Sequence, residues 1–161
     1  SADAAGVLYC LNSIFETDLP LLELARVGER VGADVPFSLI GGTALCMDKG
    51  GVIAPLRLLE NCTVLLCKPD MGVSTVSDYN LMCEKADNVF EQVVEVPKRP
   101  HIKGIMRGYG ADLTLMSGSG PTVYGLFSDE DSAKACANML RRDFREVFVC
   151  KPVEHGVTVV E

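Results

Sequence analysis

An α+β fold is what this sequence predicts, on three observations. The opening stretch places Val7, Leu8, Leu11, Ile14 and Phe15 at spacings of three and four, the period of an amphipathic helix. Glycine-rich separators, Gly41-Gly42 and Asp48-Lys49-Gly50-Gly51, cut the following stretch into short runs. From Cys62 onward the order is strand, helices, strand, strand, helix, strand, that of a split βαβ or ferredoxin-like layer.

Each element has a local reason. The first helix starts in the small residues Ser1-Ala2-Asp3-Ala4-Ala5, and its first-turn amides lie at a positive dipole end that is capped internally or binds phosphate. Asp18 and Pro20 mark a second helix start, and Leu21, Leu22, Leu24, Ala25, Val27 and Val31 carry an apolar face to a stop at Gly32. Residues 35–39, 43–47 and 52–56 read as short strands. A composition shift over residues 57–61 leads to a buried strand at 62–68 and places a domain boundary near residue 60. Ser74 is placed to cap a helix with Val76, Tyr79, Cys83 and Ala86 on one face, and Ile102, Ile105, Met106 and Tyr109 mark another. Strands at 112–116 and 123–127 flank a glycine-rich loop. Ser128 and Asp131 form a capping pair for a helix through Arg142, and residues 146–150 close as a strand. The predicted core of this second part comprises Val64, Leu66, Leu113, Leu115, Val123, Leu126, Met139 and Phe148.

Composition bounds the function. With 161 residues, 48% hydrophobic and 23% charged, the chain is an ordinary globular one, large enough for a sizeable core. No apolar run is long enough to span a bilayer and no charged-then-apolar leader is visible, so a cytoplasmic protein without membrane partners is expected. Seven scattered cysteines form no CxxC pair and no metal spacing with the two histidines, so they are expected to be reduced and mostly buried, with no resident metal. A net charge of −7 without a basic stripe argues against nucleic acid. Any anionic ligand must then be held by local devices such as backbone amides or helix ends.

Two stretches carry chemistry. In Gly32-Ala-Asp-Val-Pro-Phe-Ser-Leu-Ile-Gly-Gly-Thr-Ala-Leu45 the carboxylate of Asp34 stands at the entry of an apolar run. A charge there serves a turn or cap, a cation, or a substrate proton, and taken alone the cap is the commoner use. The loop Ser117-Gly-Ser-Gly-Pro-Thr122 is too long for a tight hairpin, and its glycines are able to offer bare amides to an anion, although taken alone a plain β-connection is the commoner explanation.

Together the stretches are more specific. Gly-Ala-Asp-Val-Pro-Phe followed by Gly-Gly-Thr-Ala, Gly72-Val73-Ser74-Thr75 after a buried strand, and Met116-Ser-Gly-Ser-Gly-Pro-Thr-Val-Tyr-Gly-Leu-Phe127 closely resemble the GHMP small-molecule kinases. Within them the chain most resembles a member acting in non-mevalonate isoprenoid biosynthesis. The resemblance implies a remnant of an S5-like amino-terminal domain over residues 1–59 and a ferredoxin-like carboxy-terminal domain over residues 60–161. It implies ATP and Mg²⁺ as cofactors and a small molecule as substrate. Asp34 matches the catalytic aspartate, and Ser1, Ala2 and Asp3 match the tail of the phosphate loop at a helix start. Gly118, Ser119 and Gly120 match the motif that closes over the phosphates, and Gly72, Val73, Ser74 and Thr75 would border the substrate pocket. The family's lysine motif and the glycines of its phosphate loop have no counterpart in this sequence. The chain is therefore read as the carboxy-terminal part of a longer kinase, inactive alone, with exposed edges in residues 1–56 free to pair with a second copy. A sister kinase acting on homoserine is the rival within the family, and a non-catalytic ferredoxin-like ligand-binding module is the rival outside it.

Overall fold

The computed structural model describes residues 1–47, 50–72, 90–91 and 94–159. They form two compact units, Ser1–Glu60 with Pro152–Glu161, and Asn61–Lys151. The boundary expected near residue 60 lies where the first unit breaks off, but residues 152–159 group with that first unit and not with the strands preceding them.

The first unit holds helices α1 (Ala2–Ile14), α2 (Leu21–Glu29) and α3 (Val35–Ile40) and a hairpin of β1 (Ala44–Met47) and β2 (Val52–Pro55). The side chain of Asn12 ties the end of α1 to the start of α2. Its Oδ1 accepts from the Leu19 N–H at 3.0 Å and its Nδ2 donates to the Leu19 carbonyl at 3.1 Å, offering the backbone an alternative to a further helical turn. Pro20 then stands immediately before α2, where a missing N–H costs nothing.

Residues 35–39, expected to be a strand, are helical. Pro36 fits a first helical turn, and Val35 and Leu39, one turn apart, enter the same core as Ala5, Leu24 and Ala25. An apolar run this short reads equally as strand or helix, and here the shape of the surface that α1 and α2 offer selects the period of 3.6. The helix stops at Gly41, with φ +76°. The hairpin is antiparallel with Ala44 opposite Pro55 and Met47 opposite Val52. Asp48 and Lys49 of its expected turn lie outside the described residues.

The carboxy-terminal segment runs against the end of α3. The Gly156 N–H donates to the Ile40 carbonyl at 3.1 Å, and Val157 packs on the core of this unit. The approach is close enough that a Cβ on Gly156 would stand 2.3 Å from the Ser38 carbonyl oxygen, and one on Gly41 would stand 2.0 Å from the Gly156 nitrogen.

The second unit holds β3 (Thr63–Lys68), α4 (Arg99–Gly108), β4 (Leu113–Met116), β5 (Val123–Phe127), α5 (Glu130–Leu140) and β6 (Glu146–Cys150). Its sheet has the order β4-β5-β3-β6 with every pair antiparallel. The order of elements is the one expected from the sequence. The helix expected from Ser74, with Val76, Tyr79, Cys83 and Ala86, lies outside the described residues. Asp129, not Ser128, caps α5, its carboxylate accepting the Ser132 N–H at 2.8 Å.

The core lies on the sheet face opposite to the expected one. Leu65, Cys67, Val123 and Phe127 are buried with Ile102 and Met106 of α4 and Ala133, Cys136, Ala137 and Leu140 of α5. Of the residues expected inside, only Val123 is fully buried. Leu113 and Phe148 are 42% and 53% exposed, and Val64, Leu66, Leu115, Leu126 and Met139 are half-buried. These strands are apolar on both faces, so their alternation carries no phase, and a one-residue error in phase moves every side chain to the other face. No helix among the described residues is long and apolar enough to cross a membrane.

The contact of the carboxy-terminal segment with α3 is tested by Gly156→Ala. The added methyl must push the two backbones apart, so exchange of the Gly156 amide should accelerate by about tenfold or more, equivalent to ~1.4 kcal/mol of local opening. The melting of the second unit should not change. Unaltered protection at Gly156 would show that this contact does not hold in solution.

Candidate functional site

The first unit brings the starts of two helices together. Ser1 is the residue before α1, and its side chain makes no capping bond to that helix. Its Oγ instead donates to Oδ2 of Asp34, 33 residues away, at 3.4 Å. Ala2 and Asp3 lie in the first turn of α1, where an α-helix leaves its amides without internal acceptors. The positive end of the helix dipole and a carboxylate thus share one corner.

Asp34 precedes α3 but does not cap it. Its backbone carbonyl accepts from the Ser38 N–H at 3.0 Å and from the Ser38 hydroxyl at 2.8 Å. Its carboxylate, exposed, makes no side-chain bond to the helix and takes part in none of the ion pairs among the described residues. The bland use of Asp34 as a helix cap is therefore not the one the structure shows. The next residue, Val35, is buried with Leu39 and Ala5, so a packed core lies directly behind the exposed carboxylate. That core limits the freedom of the Asp34 backbone.

The second unit supplies the glycine-rich loop between β4 and β5. The Ser117 N–H donates to the Thr122 carbonyl at 2.8 Å, and the Gly120 N–H donates to the Ser117 carbonyl at 2.9 Å, closing a turn inside the loop. Gly118 and Gly120 have φ of +54° and +84°, and the Gly120–Pro121 bond is cis. The two glycines differ in surroundings. Among the described residues a Cβ on Gly118 would meet nothing within 4 Å, whereas one on Gly120 would come 2.7 Å from Sδ of Met116. Ser119 stands between them, half-buried. Gly72 is exposed after β3, while Val73, Ser74 and Thr75 lie outside the described residues.

Other chemistry is thin. Among the described residues no group of three or more His, Cys, Asp or Glu could hold a metal. Cys67 and Cys136 are buried, and burial pushes their thiols up to about 12 and about 11, with Cys136 adding to the shift at Cys67. Neither is a nucleophile near neutral pH. Cys10 and Cys46 are exposed, against the expectation of mostly buried thiols. The Ser1–Asp34 contact was invisible in the sequence, since no local spacing links residues so far apart. The staple made by Asn12 had a signal only in its place after an apolar helical face.

Comparison with known proteins gives these places a context. Residues 79–146 match the family model described as GHMP kinases C terminal. The chain is 36% identical over 178 residues to the 4-diphosphocytidyl-2-C-methyl-D-erythritol kinase of Geobacillus thermodenitrificans, an alignment covering 94% of this chain and 61% of that protein. It is 33% identical over 182 residues to the enzyme of the same name from Clostridium tetani, covering 95% of this chain and 65% of that one. The chain thus spans about three-fifths of the length of the curated relatives it matches. Among solved structures, a 4-(cytidine 5'-diphospho)-2C-methyl-D-erythritol kinase aligns with TM-score 0.71 at 27% identity, over 91% of this chain and 62% of that one. A homoserine kinase from Cytophaga hutchinsonii aligns with TM-score 0.73 at 18% identity, over 92% and 63%, a likeness of fold alone.

The two loop glycines should respond differently to alanine. At either site a left-handed φ costs an alanine about 1–2 kcal/mol. Only at Gly120 must Met116 also move. Gly120→Ala should therefore lower the melting temperature more than Gly118→Ala, and calorimetry of both variants reads the difference. Equal melting points would mean that Met116 yields freely.

Proposed function

We propose that this chain, which carries a GHMP kinase carboxy-terminal domain, is part of an enzyme that transfers the γ-phosphoryl group of ATP to the 2-hydroxyl of 4-diphosphocytidyl-2-C-methyl-D-erythritol. The observation that carries this reading is Asp34. It is a carboxylate that caps no helix and enters no ion pair among the described residues, set beside Ser1 at the start of α1. In this reading Asp34 accepts the proton of the substrate hydroxyl or orients that hydroxyl for attack on the phosphorus. The first-turn amides of α1, at Ala2 and Asp3, favour the negative charge of the phosphates. Gly118, Ser119 and Gly120 form the loop that closes over the phosphates, the Gly120 N–H being used within the loop on the Ser117 carbonyl. Gly72, Val73, Ser74 and Thr75 border the substrate. Phosphoryl transfer asks mainly for positioning and charge stabilisation, to which these groups contribute a part.

The donors at the corner, the Ser1 hydroxyl and the carboxylates of Asp3 and Asp34, are hard oxygens of the kind that suits Mg²⁺. Bound with ATP, the ion would neutralise charge that develops on the transferred group. The same reading makes the molecule cytoplasmic, assigns residues 1–59 and 60–161 to the two domains of the kinase, and leaves exposed edges of the shorter piece able to pair with a second copy. A homoserine-specific activity is the weaker alternative, because among the solved structures the homoserine kinase shares 18% of residues where the erythritol kinase shares 27%. A non-catalytic module gives no chemical use to the exposed carboxylate of Asp34, which accepts only from the Ser1 hydroxyl among the described residues.

Two measurements test the proposal. In an enzyme of the relatives' full length containing this chain, Asp34→Asn should lower kcat by about 10²- to 10⁴-fold, the usual worth of acid or base catalysis. ATP affinity should hold within a few-fold. Because the side chain is exposed and caps nothing, stability should move by less than about 0.5 kcal/mol. Near-normal turnover would remove Asp34 from the chemistry. The 161-residue chain alone should turn over neither 4-diphosphocytidyl-2-C-methyl-D-erythritol nor homoserine with ATP and Mg²⁺, and robust activity would overturn the reading of it as part of the active enzyme.

A further inference from the structure

The glycine-rich loop leaves β4 at Met116, and Met116 is held from outside the sheet. Among the described strands β4 pairs with β5 alone and stands at the edge of the sheet. The Met116 N–H donates to Oε1 of Glu91. Its neighbour, the Ser117 N–H, donates the other way, to Thr122 across the loop. Oε2 of Glu91 in turn accepts from Nζ of Lys103 on α4 at 2.7 Å, and the side chains of that ion pair are only 17% and 13% exposed. One helical turn earlier on α4, Arg99 donates to the Val94 carbonyl at 2.9 Å and lies 3.9 Å from Sδ of Met116.

These contacts meet at one residue. Met116 is buried in a small cluster with Val94 and Val96, with Met71 and Phe90 against it, and its sulfur is the atom that a side chain at Gly120 would strike. Its backbone is fixed by Glu91, and its side chain lies under the far end of the loop. Partial burial would raise the Glu91 carboxyl, but the hydrogen bonds from Lys103 and the Met116 N–H, with the charges of Lys103 and Arg99, hold it below the usual carboxylate range. An ion pair this far from water repays its desolvation poorly when it only adds stability. Its use is better sought in what the second carboxylate oxygen holds.

We propose that Glu91, braced by Lys103, is a positioning residue that fixes the backbone at Met116 and so sets the direction of the amides of Gly118, Ser119 and Gly120. Its consequence for turnover rests on the reading of that loop as the one that faces the phosphates. Glu91 itself touches no reacting atom.

The test compares two double variants that both lack the ion pair. Glu91→Gln with Lys103→Met keeps a carbonyl acceptor for the Met116 N–H, and Glu91→Ala with Lys103→Met removes it. In the 161-residue chain, amide exchange at Ser117 and Gly120, neither bonded to Glu91, should stay near wild type in the glutamine double. It should accelerate about tenfold in the alanine double, while Leu65 and Phe148 of the same sheet stay protected. In an enzyme of the relatives' full length, kcat should fall about tenfold in the alanine double and recover in the glutamine double, with KM for ATP within about twofold. Indistinguishable doubles, or acceleration spread evenly over the sheet, would overturn the proposal. If the alanine double does not fold, Glu91→Gln alone decides: the loop amides should remain protected, and their loss would overturn it. A parent enzyme that phosphorylates no such substrate even as wild type sinks the kinase reading, while the exchange comparison still decides the role of Glu91.

Discussion

The first unit depends on one packed core, that of Ala5, Leu24, Ala25, Val35 and Leu39. These residues come from all three helices, α1, α2 and α3, and only their joint burial brings the start of α1 beside the start of α3. Apolar burial is non-directional, so by itself it would leave the relative setting of two helix starts loose. What makes it specific is close packing between helices, with the small Ala5 and Ala25 letting backbones approach. The polar consequence follows on the surface. A serine hydroxyl meets an aspartate carboxylate at the positive end of a helix, with no other charge among the described ion pairs competing for it.

A chain of net charge −7 is a poor general attractor of phosphates. On the proposed reading, holding phosphates calls for short-range devices, and each unit carries one that does not depend on basic side chains. One is a helix start whose first-turn amides have no internal acceptor. The other is a loop whose glycines Gly118 and Gly120 adopt left-handed φ. A loop of this kind is only as useful as its anchoring, because amides that wander lose the advantage of preorganised dipoles. The bonds at Met116, with the half-buried Glu91–Lys103 pair behind them, supply that anchoring from α4 at the free edge of the sheet.

Glycine at close approaches joins local sequence to tertiary structure elsewhere as well. Gly41 ends α3 and simultaneously makes room for Gly156, so the carboxy-terminal segment reaches the Ile40 carbonyl and adds Val157 to the first core. A local reading finds the first role of Gly41 and has no access to the second.

Much of the architecture was legible. The second helix began after Pro20, the β1–β2 hairpin fell where glycines separated two short apolar runs, and the strand and helix order of the second unit followed from period and punctuation. Asp34 and the glycine-rich loop were visible as residues out of keeping with their neighbours. These features are local, set by backbone permissions and side-chain spacing within one or two turns. By itself, then, the sequence determined the α+β class, the order of elements and the candidates for chemistry. Only the tertiary structure decided that residues 35–40 coil into a helix, which face of a doubly apolar sheet α4 and α5 cover, and that the last residues return to the first unit. It alone decided that Ser1 reaches Asp34 and that Glu91 reaches Met116. The reason is common to all of these: each is chosen by surfaces distant along the chain, and no local period, cap or turn records which of two equally apolar faces, or which of many polar groups, will find a partner there.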